Sequence, residues 1–250
     1  MLDAYVAVDL EMTGLKIRTD RILEIGAVMV CHGIITDTYE RLVNPHRKLS
    51  EEIIQLTGIT DEMAQGGCDV GRAVEEFLSF AQDLPLVGHN IIFDYGFLKQ
   101  YAVNHGIVLE KRGVDTLKLA RKCLPELEKR TLDFLCEEFR IERNKNHRAL
   151  EDAKAAAMLL ECFKEQFGHK MPEEFEPMQL QFKAKKQQPA TKSQKKRLQE
   201  LTEYYKITLD QELESLTKSE ASRITDQIYS AYGRIPISYT TQNSCSVWPE

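Results

Sequence analysis

The chain has 250 residues, 42% of them hydrophobic and 29% charged, which gives room for one α/β domain with its own core plus a small appendage. No apolar run is long enough to span a bilayer, and no basic segment followed by an apolar one stands near the start, so neither a membrane span nor a secretory signal is predicted. Six scattered cysteines, at 31, 68, 123, 136, 162 and 245, form no C-x-x-C pair. They predict buried thiols at Cys123, Cys136 and Cys162, no zinc site and a cytoplasmic location.

The net charge of −6 is unevenly spread: residues 1–182 hold 31 acids and 22 bases, residues 183–250 hold 8 acids and 11 bases. An acidic body with a basic end suits an enzyme that collects divalent cations and reaches a polyanionic substrate through an appendage.

From the N-terminus, residues 4–10 form a continuous apolar run, the pattern of a buried central strand. Two β-rich runs follow at 23–31 and 34–43, with only His32-Gly33 between them, which predicts a tight hairpin. Residues 50–80 read as helices and loops, punctuated at Thr57-Gly58. A short strand at 85–88 leads into a helix over about 92–104, and another near 113–116 leads into helical segments to about 140. The next helix is the most regular. Ala149, Ala153, Ala156, Leu160, Phe163 and Phe167 fall 4, 3, 4, 3 and 4 residues apart, an apolar stripe at helical period that stops at Gly168. The small alanines let its beginning lie close against a sheet. A hairpin followed by alternating strands and helices predicts a mixed α/β sheet covered by helices.

Past Gly168 the composition changes. Residues 183–197 carry seven bases, no acid and Pro189, the composition of a linker or solvated arm. Thr191…Gln194 and Thr217…Glu220 are two capping boxes, each opening a helical pattern. The predicted division is a catalytic domain over 1–170, a basic linker over 171–190, a helix-loop-helix module over 191–235 and a tail over 236–250.

Three places carry chemistry. Asp9 and Glu11 are two apart on a strand, so both carboxylates point to one face, where they repel unless a cation lies between them. Thr13-Gly14 then makes a turn whose backbone could approach a phosphate or sugar, with Leu15 free to stack on a terminal base. Asp94 falls in the first helical turn after His89-Asn90, where the macrodipole favours an anion. Asp152 lies about 40° from Ala156 on the helical wheel, at the margin of the packed stripe and facing the strand of Asp9, while Glu151 points away. His147 precedes that helix and can swing toward the same spot. Alone, these are a strand surfacing into a loop, a helix-start acid and a capping histidine; together they outweigh those structural readings.

Val8-Asp9-Leu10-Glu11-Met12-Thr13-Gly14-Leu15, His89-Asn90-Ile91-Ile92-Phe93-Asp94 and His147-Arg148-Ala149-Leu150-Glu151-Asp152 resemble the three motifs of the DEDDh, or DnaQ-like, 3′→5′ exonucleases, which include the proofreading subunits and domains of bacterial replicative polymerases. Leu56-Thr57-Gly58-Ile59-Thr60 and Val114-Asp115-Thr116-Leu117 resemble the landmarks between them. The resemblance covers roughly residues 3–168, with Met12 where many members have threonine.

The resemblance implies a ribonuclease-H-like mixed sheet flanked by helices. It also implies two Mg²⁺ or Mn²⁺ ions held by Asp9, Glu11, Asp94 and Asp152, hard cations on oxygen ligands. It makes His147 the general base, a role that suits an imidazole near neutral pH. Thr13, Gly14 and Leu15 then hold the 3′-terminal nucleotide, Asn90 and Phe93 line the mouth, and His89 is a positioning residue beside the substrate. The product is a 5′-mononucleotide.

Two other readings stay open. One is a binding module that kept the fold and lost the chemistry, which the intact acids and histidine oppose. The other is an RNA-trimming exonuclease or oligoribonuclease, which residues 9–15 also resemble; Gly88–Asn90 and Phe93–Leu98 favour the polymerase proofreaders and hence DNA. Gln179-Leu180-Gln181-Phe182 resembles a sliding-clamp-binding peptide in four residues, and with no polymerase motif visible, a polymerase partner would be a separate chain.

Overall fold

The computed structural model describes residues 2–143 and 147–235; the predicted tail at 236–250 and Cys245 lie outside them. The expected strands and helices form in order. β1 (Ala4–Met12), β2 (Ile22–Cys31) and β3 (Ile34–Leu42) make an antiparallel meander. His32 and Gly33 between β2 and β3 both take left-handed backbone, φ 50° and 78°, the two-residue turn whose twist matches the strands it joins.

β4 (Leu86–Gly88) then pairs parallel with β1, and β5 (Arg112–Asp115) parallel with β4. β6 (Met178–Gln179) closes the edge antiparallel to β5, in the order β3-β2-β1-β4-β5-β6. The helices of this part are α1 (Glu51–Thr57), α2 (Asp61–Gln65), α3 (Val70–Ala81), α4 (Ile91–His105), α5 (Thr116–Cys123), α6 (Leu132–Glu138) and α7 (Ala149–Phe167).

The two faces of β1 sort its residues. Val6, Val8 and Leu10 pack with Ile25, Ala27 and side chains of α3 and α4, among them Phe77, Tyr95 and Leu98. Tyr5 and Ala7 pack on the other face with Val28, Leu119, Leu135, Leu159 and Phe163, which come from β2, α5, α6 and α7. Asp9 and Glu11 continue the odd-numbered series and so belong to the face that α7 covers. The turn at 57–60 has a packing role: Gly58, φ 69°, closes α1, Thr60 caps α2, and Ile59 is buried with Leu23, Leu49 and Ala64.

Three expectations need correction. The segment 171–182 is not linker. A 3-10 turn at Pro172–Phe175 buries Phe175, β6 adds the edge strand, and Leu180 and Phe182 pack on the sheet core. A composition reading weighs the lysines; apolar residues at 175, 180 and 182 are what dock this stretch. Of the apolar side chains that a clamp-binding peptide would offer, Leu180 is buried and Phe182 half-buried against this core. Gly168 does end α7, but in right-handed backbone, φ −57°, so its freedom from a side chain is not what stops the helix. Of the thiols, Cys136 is buried while Cys123 and Cys162 are half-buried, and the five described cysteines are free.

The chain divides into two compact units, Met1–Lys186 and Gln187–Glu250. In the second, α8 (Lys192–Tyr205) and α9 (Lys218–Tyr232) both begin with complete capping boxes at Thr191 and Thr217. The two starts are tied by Ala190 N–H to Leu216 O and Lys218 N–H to Gln188 O, each 2.8 Å. Leu198, Leu201, Leu216, Ala221, Ile224 and Ile228 make its separate core. Among the described residues, no helix is long and apolar enough to cross a membrane.

Candidate active site

Gly26 stands opposite Asp9 in the sheet register. A Cβ there would lie 2.0 Å from the Leu150 nitrogen and 2.1 Å from the Ala149 carbonyl carbon, so the first turn of α7 rests directly on β2. Glu24, fully buried, fastens that turn. Its carboxylate accepts from the Ala149 N–H at 2.9 Å and from Arg148 Nε at 3.1 Å.

Asp152, within the first turn of α7, is thereby delivered beside Glu11. One oxygen each of Glu11 and Asp152 and one ring nitrogen of His147 lie within 4.8 Å of one another. His147 reaches the spot from left-handed backbone, φ 57°, unusual for a residue with a Cβ and a mark of functional sites. Its N–H donates to Asp152 Oδ2 at 3.2 Å.

Asp94 comes from the other side of the sheet. The first turn of α4 carries it to the end of β1, where its buried carboxylate accepts from the Leu10 N–H at 3.1 Å. The turn before it is held by β5 and α5. Asn90 takes left-handed backbone, φ 71°, without capping α4 by its side chain, and its N–H donates to Asp115 Oδ1 at 3.0 Å. Asp115 also caps α5.

His89 lies 2.9 Å from Thr116 Oγ1 through Nδ1 and 2.8 Å from the Arg130 carbonyl through Nε2. Burial holds its pKa below the usual histidine value. Both ring nitrogens are therefore engaged, and neither is left for a water or a nucleotide. The 114–117 landmark is a brace for the 88–90 turn.

The electrostatics are those of crowded acids. Burial above all, then the charges of Asp94 and Glu11, push Asp9 well above the usual carboxylate range. Burial and Glu24 raise Glu11 to about 7, and burial raises Asp94 to about 7. Arg143, whose side chain is 6% exposed, bridges Asp152 to Asp133, and among the described residues its buried Nε has no hydrogen-bond partner. Buried carboxylates this close favour protonation until cations neutralise them. All-oxygen donors plus one imidazole suit hard divalent ions, so the residues fit the metal chemistry the motifs imply.

The periphery is less enclosed. Thr13 Oγ1 accepts from the Arg21 N–H at 3.0 Å. A Cβ on Gly14 would lie 2.7 Å from the Asp20 carboxylate, so the turn admits only glycine without a shift. Leu15 is 79% exposed, Asn90 is exposed, and Phe93 is half-buried with its ring edge-on to Phe97 at 5.5 Å.

Sequence reasoning missed Glu24, Gly26, Arg143 and Arg148. The signals were an acid and a glycine inside the apolar run 22–31, and arginines on both sides of His147; none has a partner within reach along the chain.

The fold and this gathering of acids define a class of nuclease. The RNase_T exonuclease family matches residues 6–160, and the chain belongs to this family, with a ribonuclease-H-like fold. Curated relatives are PolC-type DNA polymerases III: that of Bacillus subtilis strain 168 is 44% identical over 161 residues, 63% of this chain and 11% of the relative. That of Clostridium perfringens strain 13 is 37% identical over 158 residues, again 63% and 11%. The chain thus spans about a tenth of the length of these relatives. Among solved structures, exonuclease X in complex with 5′-overhanging duplex DNA is 25% identical with a TM-score of 0.53, covering 67% of this chain and 93% of that one. A zinc-bound E. coli exonuclease I–single-stranded DNA complex has a TM-score of 0.59 at 18% identity, covering 70% and 42%, a likeness of fold.

Proposed function

We propose that the chain is a metal-dependent 3′→5′ exonuclease that releases 5′-mononucleotides from single-stranded or mispaired DNA ends, in proofreading or repair in the cytoplasm. The observation that carries this reading is the convergence of Glu11, Asp152 and His147 within 4.8 Å, beside Asp9 and Asp94. Asp9, Glu11, Asp94 and Asp152 would hold two Mg²⁺ or Mn²⁺ ions. When bound, these supply a lowered pKa for the attacking water and charge stabilisation at the leaving 3′ oxygen.

The chain's own residues do the rest. His147 accepts the water's proton at a ring nitrogen. Thr13 and Gly14 hold the terminal sugar and phosphate through backbone and hydroxyl, Leu15 stacks on the terminal base, and Asn90 and Phe93 line the approach. His89 does not touch substrate in this reading; locked between Thr116 and Arg130, it fixes the turn that aims Asn90 and Asp94. The names of the relatives favour DNA and a polymerase context, with a DNA polymerase subunit as the proposed partner. A sliding clamp as partner draws no support from Leu180, which is buried.

The test is matched DNA and RNA 12-mers, labelled at the 5′ end, with Mg²⁺, Mn²⁺ or chelator. DNA ladders shortening from the 3′ end with either metal, silent in chelator and in Asp9→Asn, are expected. Faster shortening of RNA would move the assignment to the exoribonuclease reading. Metal-independent cleavage, or activity surviving in Asp9→Asn, would overturn the mechanism.

A further inference from the structure

The basic stretch that looked continuous in sequence is two different things in the fold. Lys192, Lys195, Lys196 and Arg197 belong to α8 of the second unit, whereas Lys183, Lys185 and Lys186 lie in the first. The latter three ride on a strap that follows β6 and is fixed along α4. The Leu180 N–H donates to the Lys111 carbonyl at 2.9 Å, and Leu180 packs over Gly113. A Cβ on Gly96 would meet Phe182 at 3.2 Å and Ile17 at 2.7 Å, so ring, isoleucine and helix backbone are in contact at one point. One helical turn later, the buried Gln100 donates from Nε2 to the Lys185 carbonyl at 2.9 Å. The strap therefore runs from two residues past Asp94 to about 6 Å farther along the helix axis. It begins against Ile17, two residues after Leu15.

Its backbone is fixed and its charges are not. Lys183, Lys185 and Lys186 are all exposed, and among the described residues no carboxylate pairs with them. They stand on a unit that otherwise repels a polyanion: residues 1–186 hold 31 acids and 25 bases. Anchored cations that no described carboxylate pairs, next to the proposed seat of a 3′-terminal nucleotide, are what a strand's backbone would need to approach an acidic body.

We propose that the strap 182–186 is a phosphate track for single-stranded DNA, with Phe182 and Ile17 as its apolar floor and Lys183, Lys185 and Lys186 contacting the phosphates upstream of the 3′ end. This rests on the exonuclease reading above for the position of that end. The lysines act on phosphate without reading sequence, and the contact grows with strand length, because a very short strand ends before it reaches them.

The experiment measures binding of dT12 and dT3 across a salt series, with Ca²⁺ and the Asp9→Asn substitution in every protein to suppress cleavage. The triple change Lys183→Gln/Lys185→Gln/Lys186→Gln is compared with the matched change Lys192→Gln/Lys195→Gln/Lys196→Gln. The strap variant should flatten the slope of log affinity against log salt by about 2 for dT12, from ~0.7 per contact, and by less for dT3. An unchanged dT12 slope, equal flattening for both lengths, or flattening seen only with the α8 variant would each overturn the track. Nucleotide release by the unsubstituted protein is read separately. If it fails while the strap slope holds, the exonuclease reading falls and the track stands as a strand-binding surface.

Discussion

The helices of this protein begin in two different ways. α1, α2, α3, α5 and α6, and both helices of the second unit, start with a serine, threonine or aspartate whose side chain accepts from the first-turn backbone. α4 and α7 have no such side-chain cap, and these are the two helices that carry Asp94 and Asp152. Each is preceded by a residue in left-handed backbone, Asn90 before α4 and His147 before α7. The helix starts that deliver the acids thus give up a local stabilisation worth about 0.5–2 kcal/mol each. They are held instead by distant carboxylates, Asp115 on the Asn90 N–H and Glu24 on Arg148 and the Ala149 N–H. A structural helix is fixed by its neighbours in sequence; a helix that presents one of the proposed catalytic acids is fixed by other parts of the fold, which leaves its first turn facing the candidate site.

The largest effect should come from the residue at the α7 start itself. His147→Ala is expected to lower single-turnover cleavage by about 10²–10⁴-fold, the range for loss of a general base, with metal and strand binding retained. His89→Ala, which breaks the contacts to Thr116 and Arg130, should lower thermal stability and slow the chemical step less. The reverse order of the two rates would exchange their roles.

Next is the distant anchor. Glu24→Gln leaves the Arg148 guanidinium with only the exposed Glu40 carboxylate at 3.3 Å and weakens the hold on the Ala149 N–H, a loss of about 1.5–3 kcal/mol for hydrogen bonds to a charged group. It should lower both melting temperature and cleavage, because the start of α7 loosens with Asp152 on it. Gly26→Ala should do the same through the clash with Ala149 and Leu150. A Glu24→Gln protein with the same melting temperature and full activity would break the contrast between the two kinds of helix start.

A smaller effect concerns pH and metal. Glu11 and Asp94 titrate near 7 in the folded protein, against ordinary values of 4.5 and 3.8. A raised carboxyl pKa means the protonated form is favoured by folding. That contribution is complete below about 4 and is lost as pH rises through 7. The metal-free protein should therefore lose melting temperature between pH 5 and pH 8, and saturating Mg²⁺ should remove the loss. Arg143→Gln, which deletes the cation bridging Asp152 and Asp133, should steepen the decline in the metal-free protein and tighten Mg²⁺ binding measured by calorimetry. A flat pH profile without metal would show that the acids are not crowded in solution.

The smallest effect is at a purely local start. Thr217→Ala, which opens the capping box of α9, should cost about 1 kcal/mol of second-unit stability and leave the cleavage rate of short strands untouched. A fall in that rate would mean that the second unit takes part in the chemistry.

Much of the site was legible in the sequence because its signals are short. The two-residue period of β1 put Asp9 and Glu11 on one face, and the 3.6-residue period of α7 put Asp152 beside its packed alanines. The His32-Gly33 turn and the boxes at Thr191 and Thr217 are equally local, and all formed as read. What only the tertiary structure decided is how these pieces are clamped together. Gly26 is an unremarked glycine until Ala149 lies on it, Glu24 an odd acid in an apolar strand until Arg148 reaches it. His89 looked available for substrate until Thr116 and Arg130 took both its nitrogens. The stretch after Gly168 read as linker from its charges, yet Phe175, Leu180 and Phe182 dock it on the first unit, which also divides the basic run between two units. The reason is physical. Backbone periodicity and capping act within a few residues of chain, whereas burial of an isolated acid, glycine or aromatic has meaning only once a partner far away in sequence has arrived.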